Sequence, residues 1–108
     1  MRSRLLLVAT LAAACATPVR SEHVLTGVAR QAWAGAVKVV MDGAPAPGAY
    51  DEVAIVNATG TAGNATLPAV IGALQDEARS LGCNAVIRVR YDHGAQSASA
   101  TGVAVWIN

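Results

Sequence analysis

The spacing of hydrophobic positions changes along this chain, and each spacing predicts a different element. Residues 5–14, LLLVATLAAA, are apolar or small with one hydroxyl among them. In AVKVVM, residues 36–41, a short β-branched run ends at Asp42-Gly43, which predicts a strand followed by a turn. GAPAPG, residues 43–48, reads as a stiff loop, because Pro45 and Pro47 fix φ and lack an amide donor. A second strand is expected over residues 52–57. Val53 and Ile55 should share one face, with Ala54 and Val56 on the other. Two apolar faces suit an interior strand.

The stretch NATGTAGNAT, residues 57–66, is expected to be a loop. Its Asn57 and Asn64 triplets match the glycosylation sequon, but they read as loop polarity and helix capping. Thr66 or Asn64 is placed to cap a helix, and Pro68 suits its first turn. Val70, Ile71, Leu74, Ala78 and Leu81 then recur at steps of three and four, which predicts a helix over residues 67–81 with Gly82 as its stop. A strand follows over residues 85–91. Strict alternation puts Ala85, Ile87, Val89 and Tyr91 against the helix, and Val86, Arg88 and Arg90 on the other face. Residues 92–100 read as a small-residue loop or a frayed hairpin end. Residues 101–107 form the last strand, with Val103, Val105 and Ile107 opposed to Ala104 and Trp106. Gly102 marks a bulge or a close backbone approach.

The N-terminal pattern bears on cellular location. Arg2 and Arg4 before the apolar run have the build of a secretory leader, and the run is shorter than the ~20 residues needed to span a bilayer. Leu11-Ala12-Ala13-Ala14-Cys15 has the form of a bacterial lipobox, with its leucine one place earlier than usual. Acylated Cys15 would be the mature N-terminus, and three acyl chains at ~0.8 kcal/mol per buried CH₂ hold a chain to a membrane effectively permanently. Ordinary cleavage after Ala14 or Ala16 is the competing outcome and would release a soluble periplasmic or secreted protein. The expected organisation is a leader over residues 1–14, a lipid-anchored tether and arm over 15–35, and a compact domain over 36–108. Within the arm, residues 16–22 read as tether, residues 24–33 as a short helix or extended segment, and Trp33 as a packing anchor.

Charge and cysteine content narrow the chemistry. Eight basic and seven acidic residues give +1, and loss of Arg2 and Arg4 with the leader leaves −1. A nucleic-acid partner would call for a basic face, so none is expected. Cys83 is the only cysteine besides Cys15. Once Cys15 is acylated, Cys83 has no partner for an internal disulfide. Its place after a helix C-terminus does not favour a thiolate, so it is expected to be a small buried residue. Metal ligands would have to come from His23, Cys83, Asp92 and His93, and no paired-ligand spacing joins them. Ser97 beside His93 lacks the elbow motif of a hydrolase. The glycine-rich segment before the helix lacks the Walker lysine. Lys38, Arg88 and Arg90 could line one sheet face, either solvated or meeting an acidic partner. No catalytic residue, metal ligand or cofactor is assigned.

The segments Tyr50-Asp51-Glu52-Val53, Ala73-Leu74 with Glu77-Ala78, Leu81-Gly82-Cys83-Asn84-Ala85-Val86-Ile87 and Ala100-Thr101-Gly102-Val103-Ala104-Val105 resemble the YbjQ-like, so-called heavy-metal-binding family and its RcsF-like relatives in short lipoproteins. The resemblance spans residues 36–107. It implies an α+β domain with a helix on a mostly antiparallel sheet, with oligomeric rings in some members and no known catalytic site. RcsF-like sensors use paired cysteines, which this chain lacks.

The expected fold is therefore α+β, with one helix on about four strands in ββαββ order. The expected role is a non-catalytic binding, sensing or structural domain of a cell-envelope lipoprotein facing the periplasm, outer membrane favoured. Its partners would be the membrane through Cys15, and either further copies of itself or an envelope protein. The alternative is a periplasmic protein that binds a metal or small anion through His93 and Cys83 or the loop before the helix.

Overall fold

A computed structural model describes residues 19–108; the leader and Cys15 lie outside the described residues. The elements run β1 (Arg20–Leu25), β2 (Lys38–Met41), β3 (Tyr50–Thr61), a 3-10 turn (Ala62–Asn64), α1 (Leu67–Ser80), β4 (Ala85–His93) and β5 (Ser97–Ile107). One sheet holds all five strands in the order β1-β3-β5-β4-β2. Every pairing is antiparallel except β2 with β4. The fold is thus α+β, as expected, with one strand more.

That strand is β1. Residues 20–22 belong to the sheet rather than to a tether, with Arg20 opposite Thr59 and Leu25 opposite Ala54. RSEHVL lacks a run of β-branched residues, so its pairing with β3 rather than local preference makes it a strand. β3 is also longer than its apolar centre. Asn57 to Thr61 continue the ladder against β5, and the loop shrinks to the 3-10 turn. Of the two readings of residues 92–100, the hairpin end is the one found: Asp92, His93 and Ser97 to Ala100 all pair in the sheet. Polar and small residues here are strand residues because each has a ladder partner.

Thr66 caps α1 by accepting from the Ala69 amide at 3.4 Å, with proline in the first turn. Val70, Leu74 and Ala78 are buried against the sheet. Beneath them lie small residues, Ala54, Ala58, Ala98, Ala100 and Ala104, all essentially inaccessible to solvent. Small side chains on the sheet let the helix approach closely while its own Leu74 and Val70 fill the gap.

Two bulges change which side chains meet the helix. In β4 the register slips between Ile87 and Arg90, so Arg88 and Val89 together oppose Gly102. Arg88 takes φ +53°, a left-handed conformation. Val86 and Val89 therefore both join the helix-side core, while Ala85 and Ile87 join a second cluster with Val105 on the other face. This corrects the alternation expected for the strand: Ala85 and Ile87 do not meet the helix, and Val86 does. Gly102 is the counterpart of the bulge. A β-carbon there would lie 2.5 Å from Val86 Cγ1 and 3.0 Å from Val89 Cγ2. In β3 a second slip between Glu52 and Ala54 puts Val53 in the same core as Ala54 and Val56, leaving Ile55 on the opposite face.

Residues 26–37 carry the chain from β1 at one sheet edge to β2 at the other, past the end of α1. The Arg30 amide donates to the Leu81 carbonyl and the Trp33 amide to the Arg79 carbonyl, both at 2.9 Å. Helix side chains answer: Arg79 Nε donates to the Gly35 carbonyl and Gln75 Nε2 to that of Val37. The carbonyls that a helix leaves unsatisfied at its C-terminus thus hold the arm. Trp33 packs edge-on against Trp106, ring centroids 5.2 Å apart, and the Arg30 guanidinium lies over the Trp106 ring while bonding Asp51 at 2.6 Å. Trp33 is the packing anchor the sequence suggested.

Candidate functional site: the uncovered sheet face

With α1 on one face, the other face of β1, β3, β5 and β4 presents three rows of side chains. Pairing registers define them. Val24, Ile55, Val103 and Ile87 form the first row; Glu22, Asn57, Thr101 and Arg90 the second; Arg20, Thr59, Ser99 and Asp92 the third. Their neighbours in sequence confirm the orientation: Ser21 and His23 of β1 reach the helix residue Glu77, and Ala58 and Ala100 lie in the helix-side core.

The first row is apolar, and its β1 and β3 half is open. Val24 is 67% and Ile55 46% exposed. Ile87 is closed over by its own cluster, against which Val40, Tyr50, Val103 and Ile107 pack. The second and third rows have hydroxyl and amide groups at the centre and charges at both ends. Asn57 Nδ2 donates to Thr101 Oγ1 at 2.8 Å across the central strands. Arg20, Glu22 and Asp92 make no ion pair among the described residues, and the exposed Arg90 and Asp42 come within 3.9 Å. Arg20, Glu22, Asn57 and Thr59 help line an open concavity of about 650 Å³ at the β1 edge.

The residues singled out for chemistry are dispersed. Cys83 is fully buried, and burial pushes its thiol up to about 11 against a small opposing pull from Arg30. It precedes β4, whereas His93 is that strand's exposed last residue, about 30 Å along an extended chain. His93 packs near Tyr91, centroids 6.2 Å apart. Ser97 pairs with Thr61 and His93 with Ala98, which places the two on opposite faces. Arg90 stands in the second row, Arg88 on the bulge, and Lys38 beside Ala85 on the far edge strand. Among the described residues no three of His, Cys, Asp and Glu gather to hold a metal ion. The segment before α1 supplies Thr66 as the helix cap and Asn57 to the second row.

One polar cluster was invisible in the sequence because its members are more than fifty positions apart. The Glu77 carboxylate accepts from the Ser21 hydroxyl at 2.6 Å and from His23 Nδ1 at 2.5 Å. The Ser21 hydroxyl and the neighbouring His23 hold the Glu77 carboxyl below its usual range against partial desolvation. Serine donates here to the carboxylate and not to the imidazole, so the geometry does not activate a nucleophile. It ties the edge strand to the helix.

The three rows are the arrangement with a geometry fit for recognition: largely open, apolar at one end and charged at the corners of the other. Comparisons with protein-family profiles, with curated proteins and with solved structures gave no match.

Proposed function

We propose that this chain is a cell-envelope lipoprotein whose α+β domain is a non-catalytic binding module, working through the uncovered sheet face. The observation that carries this reading is the first row, where Val24 and Ile55 remain exposed on the face of the sheet opposite α1. Contiguous apolar side chains rimmed by charge mark an interaction surface more often than a reaction site.

The leader and the lipobox at Cys15 supply the envelope half of the reading. Four residues separate Cys15 from Arg20, the first residue of β1. A chain segment that short spans at most about 18 Å, so a lipid on Cys15 would hold the sheet close to the membrane surface. The YbjQ-like resemblance is consistent with a small binding or assembling domain, and adds no catalytic residue.

Fractionation tests the proposal. The wild-type chain should sediment with membranes, and Cys15→Ala should shift it to the soluble periplasmic fraction. A wild-type chain that is soluble defeats the anchored reading. The competing metal-binding reading is checked by melting the protein with and without zinc or copper: a ligand of the folded state raises Tm, and a rise lost in His93→Ala would favour that reading instead.

A further inference from the structure

The charges at the corners of the uncovered face follow a rule. On β1, Arg20 lies in the third row and Glu22 in the second; on β4, Asp92 lies in the third row and Arg90 in the second. Each row with charged ends therefore carries opposite signs at its two ends. A surface with that property is complementary to itself.

We infer that this face pairs with the same face of a second copy, about a twofold axis that runs along the strands between β3 and β5. Such an axis keeps every row at its level and reverses the strand order. β1 then lies over β4 of the other copy, and β3 over its β5. Arg20 stands over the partner's Asp92, and Glu22 over the partner's Arg90. In the first row Val24 and Ile55 turn toward the β4 and β5 end of the partner's row, where the partner's Ile87 is already closed over by its own cluster, so Val24 and Ile55 are the apolar side chains that leave water. Between them, amide and hydroxyl groups face hydroxyl groups.

The charges also specify the register. A slip by one row would put Arg20 over the partner's Arg90 and Glu22 over the apolar partner's Ile87. Like charges and a desolvated carboxylate both oppose that arrangement. Two twisted sheets packed face to face align within about 30° at a spacing of about 10 Å, which leaves the long corner side chains within reach of one another. The helices stay on the outside, giving four layers.

The patch is small, roughly 14 by 14 Å between its outermost Cα positions, so the dimer is weak in dilute solution. Confinement of copies to a membrane plane would raise their effective concentration. The inference deepens the reading of this face as the binding surface by naming its partner. It does not depend on the lipid.

Sedimentation equilibrium on residues 15–108 carrying Cys15→Ser, which keeps every strand and the helix, tests it. The expected result is a concentration-dependent monomer–dimer equilibrium. Arg20→Glu and Asp92→Arg should each raise the dissociation constant about tenfold, and the double variant should restore it. Within one chain the two residues sit three strand spacings apart, about 14 Å, so restoration must come from contact between copies. A chain that stays monomeric at every loading concentration overturns the inference. So do single variants that leave the equilibrium unchanged, or a double variant no better than either single. Circular dichroism on each variant shows that the fold is kept. Membrane attachment is read by fractionation, so a failed dimer and a failed anchor are separate results.

Discussion

The backbone amide of Cys83 donates to the carbonyl of Ala78 at 3.0 Å, and both residues are fully buried. One position earlier, the Gly82 amide donates to the Arg79 carbonyl at 3.1 Å. The two bonds form the reverse turn that closes a helix through a left-handed residue, here Gly82 at φ +80°. The thiol therefore sits in the hydrophobic contact that accompanies such a turn.

Gly82→Ala should destabilise the domain by about 1–2 kcal/mol from backbone conformation alone. A β-carbon would also lie 2.6 Å from Arg30 Cβ and from the Gln31 carbonyl oxygen. The arm must then move away from the helix end. Urea unfolding gives the size of the loss. Reduced burial of Trp33, read by its fluorescence, would show that the arm has shifted.

Burial governs the behaviour of Cys83. With the thiol pushed up to about 11, an aromatic disulfide reagent at pH 8 should react only as fast as the domain opens. The measurement uses a chain with Cys15 replaced. Because the folded value lies above the ordinary 9.0, the thiol's contribution to stability is complete below pH 9 and is lost as pH rises toward 11. In Cys83→Ala that alkaline loss should be smaller, which pH-dependent urea midpoints would reveal.

The clamp on Glu77 acts in the opposite pH range. The folded carboxyl titrates below 4.5, held down by Ser21 and His23. Its stabilising contribution is therefore present above that pH and disappears as pH falls through the lowered folded value. Glu77→Gln should cost about 1 kcal/mol at pH 7, and the gap from wild type should close in acid. A gap that is constant with pH would remove the ionised carboxylate from the account.

The bulge in β4 explains Gly102. Its replacement by alanine places a methyl group 2.5 Å from Val86 Cγ1. Overpacking of this kind typically costs about 1–3 kcal/mol. Gly102→Ala with Val86→Ala should recover part of the loss, a coupling that double-mutant unfolding data can measure.

Legibility in the sequence followed the physics of each signal. The helix could be read because Thr66, Pro68, the Val70-Leu74-Ala78 stripe and Gly82 all act locally. The last strand's faces could be read because Val103, Val105 and Ile107 alternate without a break over that stretch. β1 could not, because RSEHVL becomes a strand through β3, 29 to 39 positions away. The inverted facing of Ala85, Val86 and Ile87 depends on one extra residue in β4, and period-two reasoning cannot see a bulge. The uncovered face was hidden for a related reason. Arg90 was visible as part of a cationic face, but its relation to Glu22, Arg20 and Asp92 exists only through three strand registers.

We propose that this domain is exported and held at a membrane by Cys15. Intact mass of the chain recovered from cell membranes, with fragmentation of its N-terminal peptide, decides the matter. The expected chain begins at residue 15 and carries the added mass of acyl groups on Cys15. A chain beginning at residue 15 or 17 without that added mass, or one still carrying residues 1–14, would contradict it.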